Sequence, residues 1–194
     1  MQRKSTVKRE TKETQIEVEV FLDGKGKADI NTGFGFLDHM LEIFSKFSNI
    51  DLKVKAKGDL HVDEHHLVED TGICIGQAIK EALGDKKGIK RFGFGSCPMD
   101  ETLTQVSVDI SGRPCLIFNV PFIRGREGSF ETEDAKEFLK GFVNNSGITL
   151  HVNLIYGENL HHINESIFKS FAIAMKEAIK IEGESIPSTK GMID

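Results

Sequence analysis

Several common signatures are missing from this chain of 194 residues, and each absence excludes a class of function. The three cysteines (Cys74, Cys97 and Cys115) form no CxxC pair, so we expect free thiols in a reducing cytoplasm. No apolar run approaches the roughly 20 residues of a membrane helix, and the basic N-terminus lacks the apolar segment of a secretory signal. A formal charge of −5 argues against a nucleic-acid partner. No GxxxxGK[ST] loop is present to bind a nucleotide phosphate.

An internal repeat is the main feature that is present. The segments 12–26, 38–54 and 65–83 align in order with 100–114, 136–152 and 161–179. The first pair alternates like a strand and ends at a turn with Gly24 or Gly112, the second indicates a helix followed by a strand, and the third has helical spacing. The pattern predicts an internally duplicated α+β fold of strand–strand–helix–strand–helix halves, with antiparallel sheets packed with helices.

The repeat divides the chain into two similar halves, 1–93 and 94–184, which we expect to form one compact unit related by a pseudo-two-fold axis. The second half carries extra residues near 124–133. A polar tail follows at 185–194, and on composition alone it is either a frayed terminus or part of a binding site.

Two histidine pairs at equivalent positions of the repeat carry the strongest chemical signal. The two sets are His65, His66 and Glu69, and His161, His162 and Glu165. Adjacent helical residues point about 100° apart, so one ion cannot easily take both rings, whereas the first histidine and the glutamate share a face. Imidazole with carboxylate suits manganese, iron or zinc, and the lack of cysteine argues against structural zinc. We predict two similar metal sites, each with ligands from two such helices.

Two further positions are candidate ligands because they are also equivalent in the repeat. His39 in the first half aligns with Glu137 in the second. Asp38, next to His39, could instead cap the helix or orient a ring. His61 and His151 have no matched partner and are interpreted as structural or as supporting residues.

A small set of cationic and hydroxyl side chains could bind an anion. The candidates are Arg91, Arg113, Lys169, Ser188 and Lys190. Arginine forks and a Ser/Lys pair suit a phosphate, although an exposed basic residue is more often only solvated. Residue chemistry alone therefore predicts a two-metal site with an anion pocket.

The motifs FLDHML, GDLHVDEHHLVED, SGRP, HHINE and PSTKG, in this order over nearly the whole chain, resemble the imidazoleglycerol-phosphate dehydratase family. The resemblance implies a ribosomal S5 domain 2-like fold, trimers assembled into a 24-subunit shell, and two manganese ions per active site with ligands from more than one subunit. It also implies loss of water from D-erythro-imidazole glycerol phosphate to give imidazole acetol phosphate, a step of L-histidine biosynthesis. The metal ligands it implies are His39, His65, His66, Glu69, His161, His162 and Glu165.

The resemblance also assigns roles toward the substrate. Glu13 is implied to bind it near the reacting carbons, and His39 is also implied to contact it. The residues implied to hold it chiefly at its phosphate are Arg91, Arg113, Lys169, Ser188 and Lys190. The proton to be removed lies beside an imidazole ring with no carbonyl to stabilise a carbanion, so a Lewis acid and a positioned base, here Glu13, fit the chemistry. Ser188 and Lys190 would then order on the substrate as a lid.

Two positions depart from the family pattern. Many members have histidine where this chain has Glu137 and Phe47, so one metal ligand is replaced and one substrate contact is missing or supplied otherwise. Two alternatives to the dehydratase remain open at this point. A dimetal phosphate-ester hydrolase would use the same ligands and release inorganic phosphate, and a non-catalytic metal-binding shell protein would show no turnover.

Overall fold

The structure, a computed structural model, describes residues 2–121 and 132–193, and the extra residues expected near 124–133 lie almost wholly outside these ranges. The first half consists of β1 (Lys4–Glu10), β2 (Thr14–Phe21), β3 (Ala28–Asn31), α1 (Gly35–Ser48), β4 (Asp51–Gly58) and α2 (His65–Leu83). The second consists of β5 (Phe92–Met99), β6 (Thr102–Asp109), β7 (Cys115–Asn119), α3 (Thr132–Ser146), β8 (Thr149–Tyr156) and α4 (Leu160–Ala178).

The two halves have the same topology, which confirms the predicted duplicated α+β fold. Their sheets have the strand orders β1-β2-β4-β3 and β5-β6-β8-β7. Pairing is antiparallel except at β3–β4 and β7–β8, which are parallel. Each half therefore has one strand more than predicted. The edge strands β3 and β7 are only four and five residues long, too short for a readable alternation of apolar residues.

The core lies between the sheets and the helices. Alternate residues of β2, namely Ile16, Val18 and Val20, are buried, and α2 packs against this strand. Helices of the two halves also pack on each other, α2 on α3 and α1 on α4. Because helices of different halves pack together, each helix that carries a histidine pair, α2 or α4, lies beside a helix from the other half. Within the described ranges, no helix is both long and apolar enough to cross a membrane.

Glycines permit the close approach of α2 to α3. A methyl group on Gly72 or Gly76 would overlap the carbonyl oxygen of Phe138 or Phe142 respectively. On the facing helix, a Cβ at Gly141 would lie 2.7 Å from the Glu69 carbonyl oxygen. Backbone-to-backbone contact of this kind is open only to a residue without a side chain. It sets Glu69 beside the helix that carries Glu137.

The tail lies against the body of the protein. The Gly88 N–H donates to the Ser185 carbonyl (2.9 Å), and the Arg91 guanidinium donates to the Pro187 carbonyl (2.9 Å). The Lys86 ammonium donates to the Ile193 carbonyl at 3.3 Å. These bonds hold the tail to the fold, so the structure does not support the alternative of a frayed terminus.

Candidate active site

The neighbouring histidines of each pair point apart, as the helical geometry predicts. Rings of His65 and His66 are 6.2 Å apart between centroids and inclined by 83°. Rings of His161 and His162 are also 6.2 Å apart, inclined by 89°. Both pairs lie in the first turn of their helices, α2 and α4. The two copies thus present the same geometry at equivalent places.

One group of side chains is arranged to hold a single cation. Nitrogens of His39 and His161 and an oxygen of Glu165 all lie within 4.8 Å of one another. His39 Nε2 is 2.9 Å and His161 Nε2 is 3.6 Å from Glu165 Oε1. Two imidazoles and a carboxylate are a donor set that manganese, iron or zinc accepts, so these residues fit the implied metal. The packing of α1 on α4 brings His39 to the other two.

Asp38 does not orient the ring beside it. Its Oδ1 accepts hydrogen bonds from the backbone N–H (2.8 Å) and the hydroxyl (2.6 Å) of Thr32. The carboxylate therefore fixes the segment that leads into α1, the helix that carries His39.

Lys169 contacts the candidate metal-binding cluster of His39, His161 and Glu165 and does not line the cleft shared by the other anion-binding candidates. Its ammonium donates to Glu165 Oε2 at 2.6 Å. Burial opposes ionisation of Glu165, but hydrogen bonds from Lys169 and His39 hold the pKa of this carboxyl below its usual range. Glu165 is thus a carboxylate at neutral pH, and one of its oxygens faces the two histidines.

The residues at the equivalent positions of the repeat, namely His65, Glu69 and Glu137, lie farther apart than His39, His161 and Glu165. Glu137 Oε2 accepts a hydrogen bond from Lys140 at 2.9 Å, and this bond raises the pKa of the lysine. Glu69 adds to this effect through its charge. Over residues 2–121 and 132–193, His65, Glu69 and Glu137 do not form a second three-ligand group.

His66 contacts two carboxylates. Its Nδ1 is 3.1 and 3.3 Å from the two oxygens of Asp59 and 3.9 Å from Glu13 Oε2. The hydrogen bond to Asp59 raises the pKa of His66. Asp59 was not among the predicted site residues, although it stands in the GDLHVDEHH motif that includes the histidine.

His162 also contacts two carboxylates, which sequence reasoning missed. Its Nδ1 is 2.6 Å from Glu101 Oε2, and its Nε2 is 3.5 Å from Asp100 Oδ2. The bond to His162, with one from the Asn159 N–H, lowers the pKa of Glu101 to about 2, and Glu101 in turn raises the pKa of His162. The repeat could have indicated Glu101 as a site residue, because it aligns Glu101 with the predicted site residue Glu13.

Glu13 lies in the turn between β1 and β2. Its backbone N–H donates to the Thr11 hydroxyl (3.1 Å), while its side chain is 55% exposed and free to reach a ligand. The Thr14 hydroxyl donates to Asp70 (2.5 Å), and Arg9 Nε donates to the same carboxylate at 2.9 Å. Because Asp70 belongs to α2, these bonds fasten the turn to a histidine-bearing helix.

Four predicted phosphate contacts share one cleft of about 530 Å³. Its lining is Arg91, Ser111, Arg113, Ser188, Thr189, Lys190, Met192 and Ile193. Arg91 also donates to both oxygens of Asp109 (2.7 and 3.2 Å), which together with its bond to Pro187 fixes the guanidinium at the cleft wall. Two basic side chains of the fold thus face a serine and a lysine of the tail, a suitable lining for an anion.

The remaining predicted residues lie at the surface or in the core. Phe47 on α1 is 42% exposed, and His61 and His151 are exposed. Cys74 is buried, and this burial raises the pKa of its thiol to about 12. All three cysteines are free thiols.

Fold and site together define a duplicated α+β protein with histidines and carboxylates that could bind a metal on paired helices, and with a cationic cleft lined in part by its own tail. The sequence model of the imidazoleglycerol-phosphate dehydratase family matches residues 32–175. This protein belongs to the imidazoleglycerol-phosphate dehydratase family, a family of hydro-lyases, which confirms the resemblance read from its motifs.

Relatives with that name align over almost the full length. The chain is 56% identical to the imidazoleglycerol-phosphate dehydratase of Thermoanaerobacter pseudethanolicus (98% of this chain, 100% of the relative). It is 54% identical to that of Rhodopseudomonas palustris strain TIE-1, with 98% of each chain covered. The crystal structure from Staphylococcus aureus superposes with a TM-score of 0.83 at 42% identity (92% and 99% covered). That from Pyrococcus furiosus, in complex with (S)-C348, gives 0.84 at 40% identity (96% and 100%).

Proposed function

We propose that this protein is a cytoplasmic, manganese-dependent imidazoleglycerol-phosphate dehydratase of L-histidine biosynthesis. It removes water from D-erythro-imidazole glycerol phosphate and gives imidazole acetol phosphate. The observation that carries this proposal is the cluster of His39, His161 and Glu165, in a chain that matches the family over nearly its whole length.

Two manganese ions per active site are proposed, with ligands from both halves of the repeat. The first set is His39, His161 and Glu165, and the equivalent set is His65, Glu69 and Glu137. His66 and His162 point away from their neighbours, which supports their binding to other ions, with active sites between subunits of a 24-mer built from trimers. When bound, manganese supplies Lewis-acid polarisation of the imidazole ring of the substrate.

Glu13 is the proposed base that takes the proton beside the imidazole ring. Its carboxylate is exposed, and the turn that carries it is fastened to α2 through Thr14 and Asp70. A base must be held within hydrogen-bonding reach of the proton it removes, and this attachment restricts where Glu13 can go. Its 3.9 Å approach to His66 sets it beside a metal-binding side chain.

The cationic cleft is the proposed phosphate site. Arg91 and Arg113 approach from the fold, and Ser188 and Lys190 approach from the tail. Charge-assisted hydrogen bonds to the phosphate would hold the glycerol chain in register with the base. Lys169, which is bound to Glu165, is proposed to contact the substrate near the metal rather than in this cleft.

Product analysis with and without added Mn²⁺ tests the proposal. Incubation with the substrate should form imidazole acetol phosphate only when manganese is present, with no release of inorganic phosphate. The variant Glu13→Gln should lose turnover and retain its metal. Release of phosphate without the ketone would instead support the hydrolase, and metal binding without any turnover would support a metal-binding shell protein.

A further inference from the structure

The second histidine of each pair is held by a carboxylate through the same ring nitrogen. Nδ1 of His66 is bonded to Asp59, and Nδ1 of His162 is bonded to Glu101. An imidazole that donates its Nδ1–H to a carboxylate keeps the lone pair on Nε2 and has a fixed orientation. That is the form of histidine that binds a metal ion.

The two carboxylates come from positions that are not equivalent in the repeat. Asp59 lies in the loop between β4 and α2, whereas Glu101 lies in the turn between β5 and β6. The residue of the first half that is equivalent to Glu101 is Glu13, in the turn between β1 and β2. In the first half, Asp59 therefore bonds to the second histidine of the pair, as the turn residue Glu101 does in the second half.

The two turn glutamates also differ in how firmly they are held. Glu101 Oε1 accepts hydrogen bonds from the Asn159 N–H (3.0 Å) and the Thr102 hydroxyl (3.0 Å), while its other oxygen meets His162. In the described ranges 2–121 and 132–193, the Glu13 carboxylate accepts no hydrogen bond, and its nearest cationic group is His66 at 3.9 Å. A carboxylate that already holds an imidazole is poorly placed to take a proton from a substrate.

We propose that Asp59 and Glu101 are positioning residues for His66 and His162, and that Asp59 replaces the turn carboxylate of the first half and so leaves Glu13 free for the substrate. The equivalent turn positions of the two halves thereby have different roles. In the second half, Glu101 orients a metal ligand, and in the first half, Glu13 faces the reacting part of the substrate. The part that concerns Glu13 rests on the function proposed above, whereas the roles of Asp59 and Glu101 require only that the protein binds the metal.

The affinity of the full-length protein for Mn²⁺, measured by calorimetric titration of the metal-free form, tests this division. Removing a carboxylate that orients a metal-bound histidine typically weakens metal binding by about 10- to 100-fold. We expect that loss in Asp59→Asn and in Glu101→Gln. Asp59→Glu restores a carboxylate and should recover most of the affinity, which a merely structural role of the loop would not explain.

The matched control is Glu13→Gln, the same change at the position equivalent to Glu101. It should bind Mn²⁺ within about twofold of the unsubstituted protein and lose kcat, because the glutamine leaves the Asp59–His66 bond intact. Equal loss of Mn²⁺ affinity in Glu13→Gln and Glu101→Gln would overturn the inference, as would unchanged affinity in Asp59→Asn. Melting temperatures of the metal-free variants identify any that are misfolded.

Failure of this inference can be distinguished from failure of the proposed function. If the unsubstituted protein binds Mn²⁺ but forms no imidazole acetol phosphate, the proposed function is wrong. The affinities of the Asp59 and Glu101 variants still decide the positioning roles in that case, because those measurements need no substrate.

Discussion

Replacing Arg91 by lysine should weaken substrate binding by detaching the tail. The arginine uses Nε and Nη2 to hold Asp109 and Nη1 to hold the Pro187 carbonyl at 2.9 Å. Its side chain is only 16% exposed, so these bonds are largely shielded from water. A lysine has a single ammonium at the end of its chain and cannot serve both partners with this geometry.

The expected magnitude follows from the bond that is lost. A hydrogen bond from a charged group contributes about 1.5–3 kcal/mol. Since about 1.4 kcal/mol corresponds to a factor of ten, the KM for the substrate should rise roughly 10- to 150-fold. The value of kcat should change much less, because the proposed role of Ser188 and Lys190 is to bind the phosphate rather than the reacting carbons.

Steady-state kinetics in two backgrounds separates this effect from direct binding of phosphate by Arg91. In a chain truncated after Glu184, which lacks Pro187, KM should already be high and Arg91→Lys should raise it by a clearly smaller factor. The control is Arg113→Lys, because the Arg113 side chain lines the same cleft and, among the described residues, forms no hydrogen bond with the tail. An equal factor for Arg91→Lys in both backgrounds would refute the reasoning.

Further predictions concern the core and the thiols. Phe171 packs on Phe44 and Phe142 with centroid distances of 5.0 and 5.1 Å, so Phe171→Ala should lower the free energy of unfolding by about 3–5 kcal/mol. Urea denaturation measures it, and a loss below about 1 kcal/mol would contradict this packing. Gly76→Ala should lower the melting temperature and Mn²⁺ content together, because it separates α2 from α3; normal values of both would contradict the close contact. Cys74 should resist iodoacetamide at pH 8 until the protein is unfolded, as measured by mass spectrometry, whereas rapid labelling of the native protein would show that it is accessible.

Much of the fold could be predicted because the sequence contains the same pattern twice. Apolar alternation located β2 and β6, and helical spacing located α2 and α4. The short strands β3 and β7 escaped prediction, since four or five residues at a sheet edge bury too little to impose a pattern. Their parallel pairing with β4 and β8 depends on contacts between distant segments, which local spacing does not encode.

In the candidate site too, the sequence predicted features that depend on neighbouring residues, but not contacts between distant segments. Spacing within a helix was enough to show that the two rings of each histidine pair point apart, because adjacent residues on any helix do so. It could not show that His39 meets Glu165, since that contact requires the packing of α1 on α4 across 126 positions of sequence. The contact of Lys169 with Glu165 is different, because it joins residues one turn apart on α4, and their spacing of four residues could have indicated it.

By itself, the sequence determined the duplication, the metal-binding residue types and the family, because these depend on order and spacing along the chain. Only the tertiary structure decided which carboxylate serves which histidine. Glu13 and Glu101 are equivalent in the repeat, yet Glu101 is bonded to His162 while Asp59 takes the corresponding place beside His66. The physical reason is that hydrogen bonds depend on distances of about 3 Å between atoms, and those distances are set where separate loops converge.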